Sequence, residues 1–375
     1  MSNQRVGVIG GGQLAGMMAT ATEKLAIDLL IQTPHKDDPA VAIAHEVILA
    51  PIDDANATQQ LAEKCDVITF ENEFINLEAL KKLESQGVCF RPKLSALSPL
   101  LDKYQQRSYL KSINIPVPKF TTLEALSLTD FNFPLVIKAR RHGYDGQGTF
   151  IIKNSEELNH LLEKVNNIPL MVEDYIPFER ELALMVARNV KGEIVTYPVV
   201  ETYQKEQVCH WVIAPANISE TVQKEARQIA EHLVTQLDVV GIFGIEFFLT
   251  SDEQLLVNEI APRTHNSGHY TLDACDISQF EMQLKAVTDH PLGSTQLNCL
   301  GAVMVNLLGY ENSHYDYQEK RQKIANLPHT YVHWYEKTES RVGRKLGHVT
   351  RLIKDHKIAP ETIAKEIESI WYRNQ

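Results

Sequence analysis

The chain opens on a regular alternation of short apolar runs and amphipathic stretches. RVGVIG reads as a buried strand, GGQLAGMMATATEKLA as a helix and AIDLLIQT as a second strand. The apolar runs CDVITFENE and GVCFRP follow, with the helical pattern LEALKKLESQ between them. Strands alternating with helices call for a parallel sheet covered by helices. A further helix is predicted over DKYQQRSYLKS, stopped by the two prolines of INIPVPKF. Beyond it the apolar runs crowd together: FPLVIKAR, GTFIIK, PLMVEDYI, RELALMVAR and EIVTYPVVETY. One helix interrupts them, NSEELNHLLEKV, with Asn154 as N-cap and Glu157 three residues on. A second long helix starts near Ser219, and GIFGIEFFL–TSDEQ–LLVNEIAP reads as a hairpin. From about Leu297 a smaller tail carries the strands GAVMVNLLG and YVHWYEK, then a basic turn, RVGRKLGHVTRL.

The length, 375 residues, allows two or three domains, and 44% apolar with 23% charged residues is ordinary for a globular protein. No charged-then-apolar leader opens the chain, so no signal peptide is expected. The longest apolar run, GAVMVNLLG, falls far short of the roughly 20 residues of a membrane span. The formal charge of −11 argues against general nucleic-acid binding, yet leaves room for a local basic pocket. Five scattered cysteines without a CxxC argue against a zinc site and suit a reducing cytoplasm.

Three stretches carry candidate chemistry. GVIGGGQLAGMMA places Gly10, Gly12 and Ala15 in a GxGxxA pattern between a strand and a helix. A dinucleotide enzyme would put Asp or Glu at the end of the second strand, where this chain has Gln32. Nicotinamide binding is therefore disfavoured. Two readings remain, tight helix–sheet packing or a phosphate of a substrate, and the second is preferred.

RRHGYDGQGT has glycines at 143, 146 and 148, with Lys138 on the run that feeds it. Such a loop can turn several N–H groups into one nest for phosphate oxygens, or be a plain hairpin tip. In the hairpin, a turn over Ser251–Gln254 pairs Leu249 roughly with Leu256, so Glu246 faces Asn258 or Glu259. Two carboxylates about 5 Å apart in an apolar setting repel unless a cation lies between them. Magnesium suits few oxygen ligands shared with phosphates; the alternative is neutralisation by Arg263 or a lysine. GxxxxGK[ST] and the kinase signature set are absent.

Together these features resemble the ATP-grasp superfamily. VIGGGQLAGMM, KARRHGYDGQGT, NEIAPRTHNSGHYT, SQFE and the HWYEK…RVGRKLGHV tail occur in the order of its N5-carboxyaminoimidazole ribonucleotide synthetase family, over essentially the whole chain. The resemblance implies an α/β and α+β protein. It would have a parallel-sheet pre-ATP-grasp domain (1–98), an ATP-grasp domain with a mobile lid (99–296) and a small C-terminal domain (297–375). It implies ATP-dependent carboxylation of 5-aminoimidazole ribonucleotide with bicarbonate, through carboxyphosphate, by a cytoplasmic homodimer using ATP and Mg²⁺. Other ATP-grasp ligases, such as formate-using glycinamide ribonucleotide transformylase or biotin carboxylase, are the rivals, along with a noncatalytic nucleotide module.

By position, the resemblance assigns Lys103 and Lys138 to the ATP phosphates. Gly143, Tyr144, Asp145, Gly146, Gln147, Gly148 and Thr149 form the lid loop. Glu173, Asp174, Tyr175 and Ile176 are the adenine hinge, Glu181 takes the ribose, and Gln204 lies near the nucleotide. Glu246 and Glu259 hold Mg²⁺, with Asn258 adjacent. Arg263, His265 and Lys345 surround bicarbonate or carboxyphosphate, and His265 is either a proton acceptor or a structural residue of the NSGH turn. Glu73, Tyr144, Asp145, Arg344 and Lys345 are substrate-side candidates. The family's lid commonly has arginine where this chain has Gln147, which cannot supply a charged fork; Arg140, Arg141 or Arg344 would have to compensate.

Overall fold

The computed structural model describes residues 3–127, 131–141, 148–165, 168–355 and 358–372. The first hundred residues form the expected parallel sheet. Its strand order is Glu46–Leu49, Ile27–Thr33, Gln4–Ile9, Val67–Phe70. GVCFRP adds only a single parallel bridge, Ile68 to Phe90, instead of a strand. The first helix is split into Gln13–Ala19 and Thr22–Leu25. The hydroxyls of Thr20 and Thr22 bond back to the carbonyls of Met17 and Ala19 at the break. Such bonds compete with helix propagation, which the apolar pattern alone does not reveal.

A four-stranded antiparallel sheet follows, ordered Phe120–Thr122, Leu170–Asp174, Leu135–Ala139, Thr149–Ile152. Helix Ser155–Lys164 covers it, and its capping box is as expected: Asn154 accepts from Glu157 N–H at 2.9 Å, and Glu157 accepts from Lys153 N–H at 2.8 Å.

The third sheet has nine strands among the described residues. It runs from the hairpin Gly241–Thr250 and Leu255–Ala261, through Phe178–Arg188, Val200–Lys205 and Val208–Ala214, into Gly301–Leu308, Lys345–Ile353 and Thr330–Trp334, with Ile194–Thr196 beside Phe178–Arg188. The sheet is continuous across residue 297, because Val208–Ala214 pairs directly with Gly301–Leu308. EIVTYPVVETY is two strands, since the stretch around Pro198 interrupts it. The tail segment read as a basic turn is instead a strand from Lys345. Leu346 to Leu352 are buried on both faces, so the segment has no polar side to display alternation.

Two helices fix these layers. Glu220–Gln236, capped by Ser219, sets Val222, Ala226, Ala230 and Leu233 against Phe243, Ile245 and Phe247. Gln279–Val287 inserts Phe280, Leu284 and Val287 into the same core as Val6, Met18 and Leu29 of the first domain. On its other side Gln283 accepts from Ile242 N–H at 2.6 Å and donates to Thr69 Oγ at 2.7 Å. This helix therefore ties the first sheet to the third.

Candidate active site

The cleft is lined by the hairpin, the second sheet and the loop after Ala261. In the hairpin Leu249 pairs with Leu255, one residue tighter than the sequence predicts. A register shift beyond Phe247–Val257 then inserts Asn258, and Glu246 comes directly opposite Glu259. A bulge re-aims side chains. Here Asn258 Oδ1 accepts from Lys138 Nζ at 3.1 Å, while both Glu259 oxygens accept from Lys103 Nζ at 3.0 Å. Lys103 starts helix Lys103–Ser112 next to the cap Asp102, and its N–H bonds to Arg140 O at 2.9 Å. The phosphate lysines and the paired acids thus meet at one point.

Lys138 is buried among charges. Its ammonium lies 2.7 Å from Glu173, whose other oxygen is held by the buried Arg107. Burial alone would raise the Glu173 carboxyl, but Arg107 and Lys138 outweigh it and hold it down to about 2. The Glu173 side chain is therefore an anchor for Lys138, and only the backbone beyond it is free for the hinge role. Asp174 N–H bonds to Lys119 O at 3.0 Å, Ile176 is half-buried and Tyr175 is exposed. Glu181, on strand Phe178–Arg188, is pushed up to about 7 by burial; a hydrogen bond from Gln204 and the charge of Lys138 pull the other way. Gln204 sits at a register shift between strands Val200–Lys205 and Val208–Ala214, which places it beside Glu181.

Burial, then Glu259, then Glu181 push the Glu246 carboxyl up to about 8, against the pull of Lys103 and Lys345. Glu259 is held below its ordinary value, because Lys103 and Lys138 overcome the effect of its burial. Burial and the neighbouring acids therefore hold a proton on Glu246 near neutral pH, and a divalent cation between the two carboxylates would take that proton's place. Among the described residues no group of three His, Cys, Asp or Glu side chains could hold a metal ion by itself. Two carboxylates with the remaining positions left to water and phosphate fit magnesium in a nucleotide site.

On the far side of Glu246, His265 Nε2 stands 3.8 Å from its Oε1. Gly244 makes room for this approach: a Cβ there would lie 2.6 Å from the His265 Cβ. Arg263 Nε lies 3.0 Å from Glu73 Oε1, and its Nη1 donates to Thr264 O at 3.0 Å. The Lys345 charge acts on both Glu246 and His269. Arg344 turns elsewhere and donates to the Glu339 carbonyl at 2.8 Å. Gly148, at φ +79°, and Thr149, paired with Lys138, begin the strand after the lid loop. Gly143, Tyr144, Asp145, Gly146 and Gln147 lie outside the described residues.

Two sequence readings are corrected here, the phosphate role of the glycine turn and the substitution of Arg140 for a lid arginine, and the setting of Gln32 agrees with the disfavoured nicotinamide reading. The glycine turn at residues 10–12 has the amides a phosphate would need largely engaged within the protein. The carboxylate of Glu71 takes the N–H groups of Gly12, Leu14 and Ala15, at 2.7, 3.0 and 3.3 Å. A Cβ on Gly12 would lie 2.6 Å from Glu71, so the glycine serves packing. Gln32, fully buried, donates to the carbonyls of Pro51 and Asp54 and has no outward role. Arg140 is committed to Asp102, with Nε 3.0 Å from both oxygens, and stacks on Tyr104, so it is not free to replace a lid arginine. Glu71, Asp102 and Arg107 escaped the sequence reading. The doublet of acids in FENE was the available signal for Glu71, and the N-cap position in LDKYQQR for Asp102.

A lysine pair and facing carboxylates on an antiparallel sheet, behind a parallel-sheet domain, make the arrangement of an ATP-grasp enzyme. Family models agree: a ribonucleotide synthetase preATP-grasp domain matches residues 3–99, an ATP-grasp domain 108–280, and a phosphoribosylaminoimidazole carboxylase C-terminal domain 302–362. The N5-carboxyaminoimidazole ribonucleotide synthase of Synechocystis sp. is 53% identical over 380 residues, spanning 98% of each chain. Among solved structures, the N5-carboxyaminoimidazole ribonucleotide synthetase from Thermotoga maritima is 41% identical, with a TM-score of 0.86 over 97% of this chain and 98% of that one. The Aspergillus clavatus synthase in complex with ADP and 5-aminoimidazole ribonucleotide is 30% identical, with a TM-score of 0.91 over 99% of both. The chain belongs to the N5-carboxyaminoimidazole ribonucleotide synthase family, ATP-dependent ligases of purine biosynthesis.

Proposed function

We propose that the chain carboxylates 5-aminoimidazole ribonucleotide with bicarbonate at the expense of ATP, at the cleft between Lys138, Glu246 and His265. One observation carries the reading: two directly facing carboxylates lie between Lys103 and Lys138 on one side and His265 with Lys345 on the other. A phosphoryl donor and an oxygen acceptor can therefore be aligned across one point, which is most of what phosphoryl transfer requires.

In this reading Glu246 and Glu259 hold Mg²⁺, which supplies charge neutralisation for the transferred phosphoryl group. Lys138, fixed by Glu173 and Asn258, holds the phosphates of ATP, and Lys103 exchanges Glu259 for a phosphate oxygen. The backbone of Asp174–Ile176 reads adenine and Glu181 accepts the ribose hydroxyls. Arg263 and Lys345 orient the bicarbonate oxygens. A bicarbonate oxygen attacks the γ-phosphorus, ADP leaves, and the resulting carboxyphosphate passes its carboxyl group to the amine of the ribonucleotide while phosphate departs. His265, its Nε2 toward Glu246, holds or moves the proton released at the amine. The lid loop excludes water from the labile intermediate.

The test is isotopic. Bicarbonate labelled with ¹⁸O leaves one labelled oxygen in the released phosphate if carboxyphosphate forms; unlabelled phosphate sinks this route. ADP release that needs the ribonucleotide but not bicarbonate points to a different acid substrate. The family resemblance also carries the expectation of a homodimer, which sedimentation velocity checks. No helix among the described residues is long and apolar enough to cross a membrane.

A further inference from the structure

The SQFE segment has no part in the chemistry above, yet its glutamine is fully buried directly behind the site. Gln279 Oε1 accepts from His265 N–H at 2.9 Å. Its Nε2 donates to His265 O at 2.8 Å and to His269 Nδ1 at 2.9 Å. One side chain thus clamps both backbone groups of His265 and the ring at the far end of the THNSGH loop. Its own N–H completes the closure by bonding to Thr271 Oγ at 2.9 Å, and Thr271 donates to Gly268 O at 2.6 Å. Gly268 is glycine for the same reason, since a Cβ there would lie 2.6 Å from Gln279 Oε1.

Only one arrangement satisfies this amide. Turned over, its oxygen would face the His265 carbonyl and its NH₂ would face the His265 N–H. His269 must then present a bare Nδ1 and keep its single proton on Nε2. Its setting enforces that state: burial, His265, Lys345, His333 and Arg263 all hold the ring well below the ordinary histidine range. His269 also packs on His348, centroids 5.0 Å apart, in the strand that begins with Lys345. The clamp therefore registers His265 against Glu246 and, through His269, against the Lys345 strand.

We propose that Gln279 is a positioning residue for the carboxylation step, fixing His265 and the Lys345 strand on the two sides of the acceptor site. This rests on the reading of His265 as a participant in carboxyl transfer. Misplacing a reacting group by about 1 Å costs on the order of 10²-fold. The near-isosteric Gln279→Met is expected to lower kcat by about that factor while leaving the KM for MgATP within about twofold, because the nucleotide strands are not touched. In a His265→Ala background the same change should cost clearly less than in the unaltered enzyme, the remainder being the part carried through His269 and the Lys345 strand. Gln279→Glu keeps the acceptor for His265 N–H and regains one donor only when protonated. Its rate relative to the unaltered enzyme should therefore rise as pH falls, and it serves as the test if the methionine variant does not fold.

An undiminished kcat in Gln279→Met, an equal loss in the His265→Ala background, or a pH-independent ratio for Gln279→Glu overturns the proposal. Full carboxylation by His265→Ala alone overturns the underlying reading of His265 instead.

Discussion

Lys103 grips Glu259 through both carboxylate oxygens, each 3.0 Å from its ammonium nitrogen. The lysine expected to meet ATP and the acid expected to meet magnesium thus satisfy each other. In the proposed reading, Mg-ATP would replace one pair by two, metal on Glu259 and phosphate on Lys103. Glu259→Gln keeps the shape and removes the charge that either partner needs. Turnover of Mg-ATP is expected to fall by at least about 10²-fold, with circular dichroism unchanged, since the side chain lines the cleft and is not part of the core. Retained turnover with an ordinary Mg²⁺ requirement would count against the metal assignment.

Glu181 gives the nucleotide site a pH signature. Burial moves its carboxyl from the ordinary 4.5 up to about 7, and the ribose hydroxyls need the ionised acid as acceptor. ATP affinity should therefore strengthen as pH rises through about 7. The stability of the free protein should do the reverse. A raised folded-state pKa stabilises fully below 4.5, and that contribution is lost as pH rises to about 7. Calorimetric ATP titrations of the protein and of Glu181→Gln between pH 6 and pH 8.5 read the first effect, roughly one tenfold change per unit on the acid side. Equal slopes in both proteins would remove Glu181 from the ribose.

Much of this was legible because spacing transmits through regular structure. Counting along the hairpin set Glu246 opposite Asn258 or Glu259, of which the structure takes Glu259, and the Asn154 and Ser219 caps fell where the polar residues stood. The count reached the right pair by a compensating error: the turn is one residue tighter, and the bulge at Asn258 restores the offset. Nothing in LLVNEIA announces a bulge. Residues that act from a distance in sequence were also invisible. Glu71 fills a turn 57 residues upstream at Leu14, and Arg107 meets Glu173 across 66 residues; neither leaves a local pattern. The Lys345 strand was missed because a strand buried on both faces shows no alternation.

The Glu71 cap is a structural device with a measurable strength. Its carboxylate serves three N–H groups at the start of helix Gln13–Ala19, and it is itself buried. Glu71→Leu leaves those donors without a partner inside the protein, each such loss costing about 1–3 kcal/mol. A net destabilisation above ~2 kcal/mol is expected in urea, and a smaller one for Glu71→Gln, which keeps one acceptor oxygen. Gly10→Ala should fall in the same range. Its φ is +116°, and the new Cβ would lie 2.5 Å from Glu71. Urea midpoints unchanged in Glu71→Leu would show that the amides find another partner and that the turn is open to an external anion after all.

Lys345 separates the two halves of the reaction. It begins strand Lys345–Ile353, opposite Leu308, and its charge reaches Glu246 and His269, whereas Lys103 acts on both Glu246 and Glu259 and Lys138 on Glu259. Its neighbour Arg344 bonds to the Glu339 carbonyl and does not share the site. In the proposed reading, a cation placed beyond Glu246 would face the acceptor side of the transferred phosphoryl group, where bicarbonate and then carboxyphosphate would carry negative charge. Removing it should leave the binding of ATP intact and weaken the step that follows. Lys345→Ala is expected to bind Mg-ATP with a Kd within about twofold of the unaltered protein, yet to carboxylate the ribonucleotide ~10²–10³-fold more slowly. Calorimetry with Mg-ATP and single-turnover carboxylation, measured on one preparation, distinguish the two effects. A variant that loses ATP affinity and carboxylation in equal measure would place Lys345 on the nucleotide and leave Arg263 as the cation on the bicarbonate side.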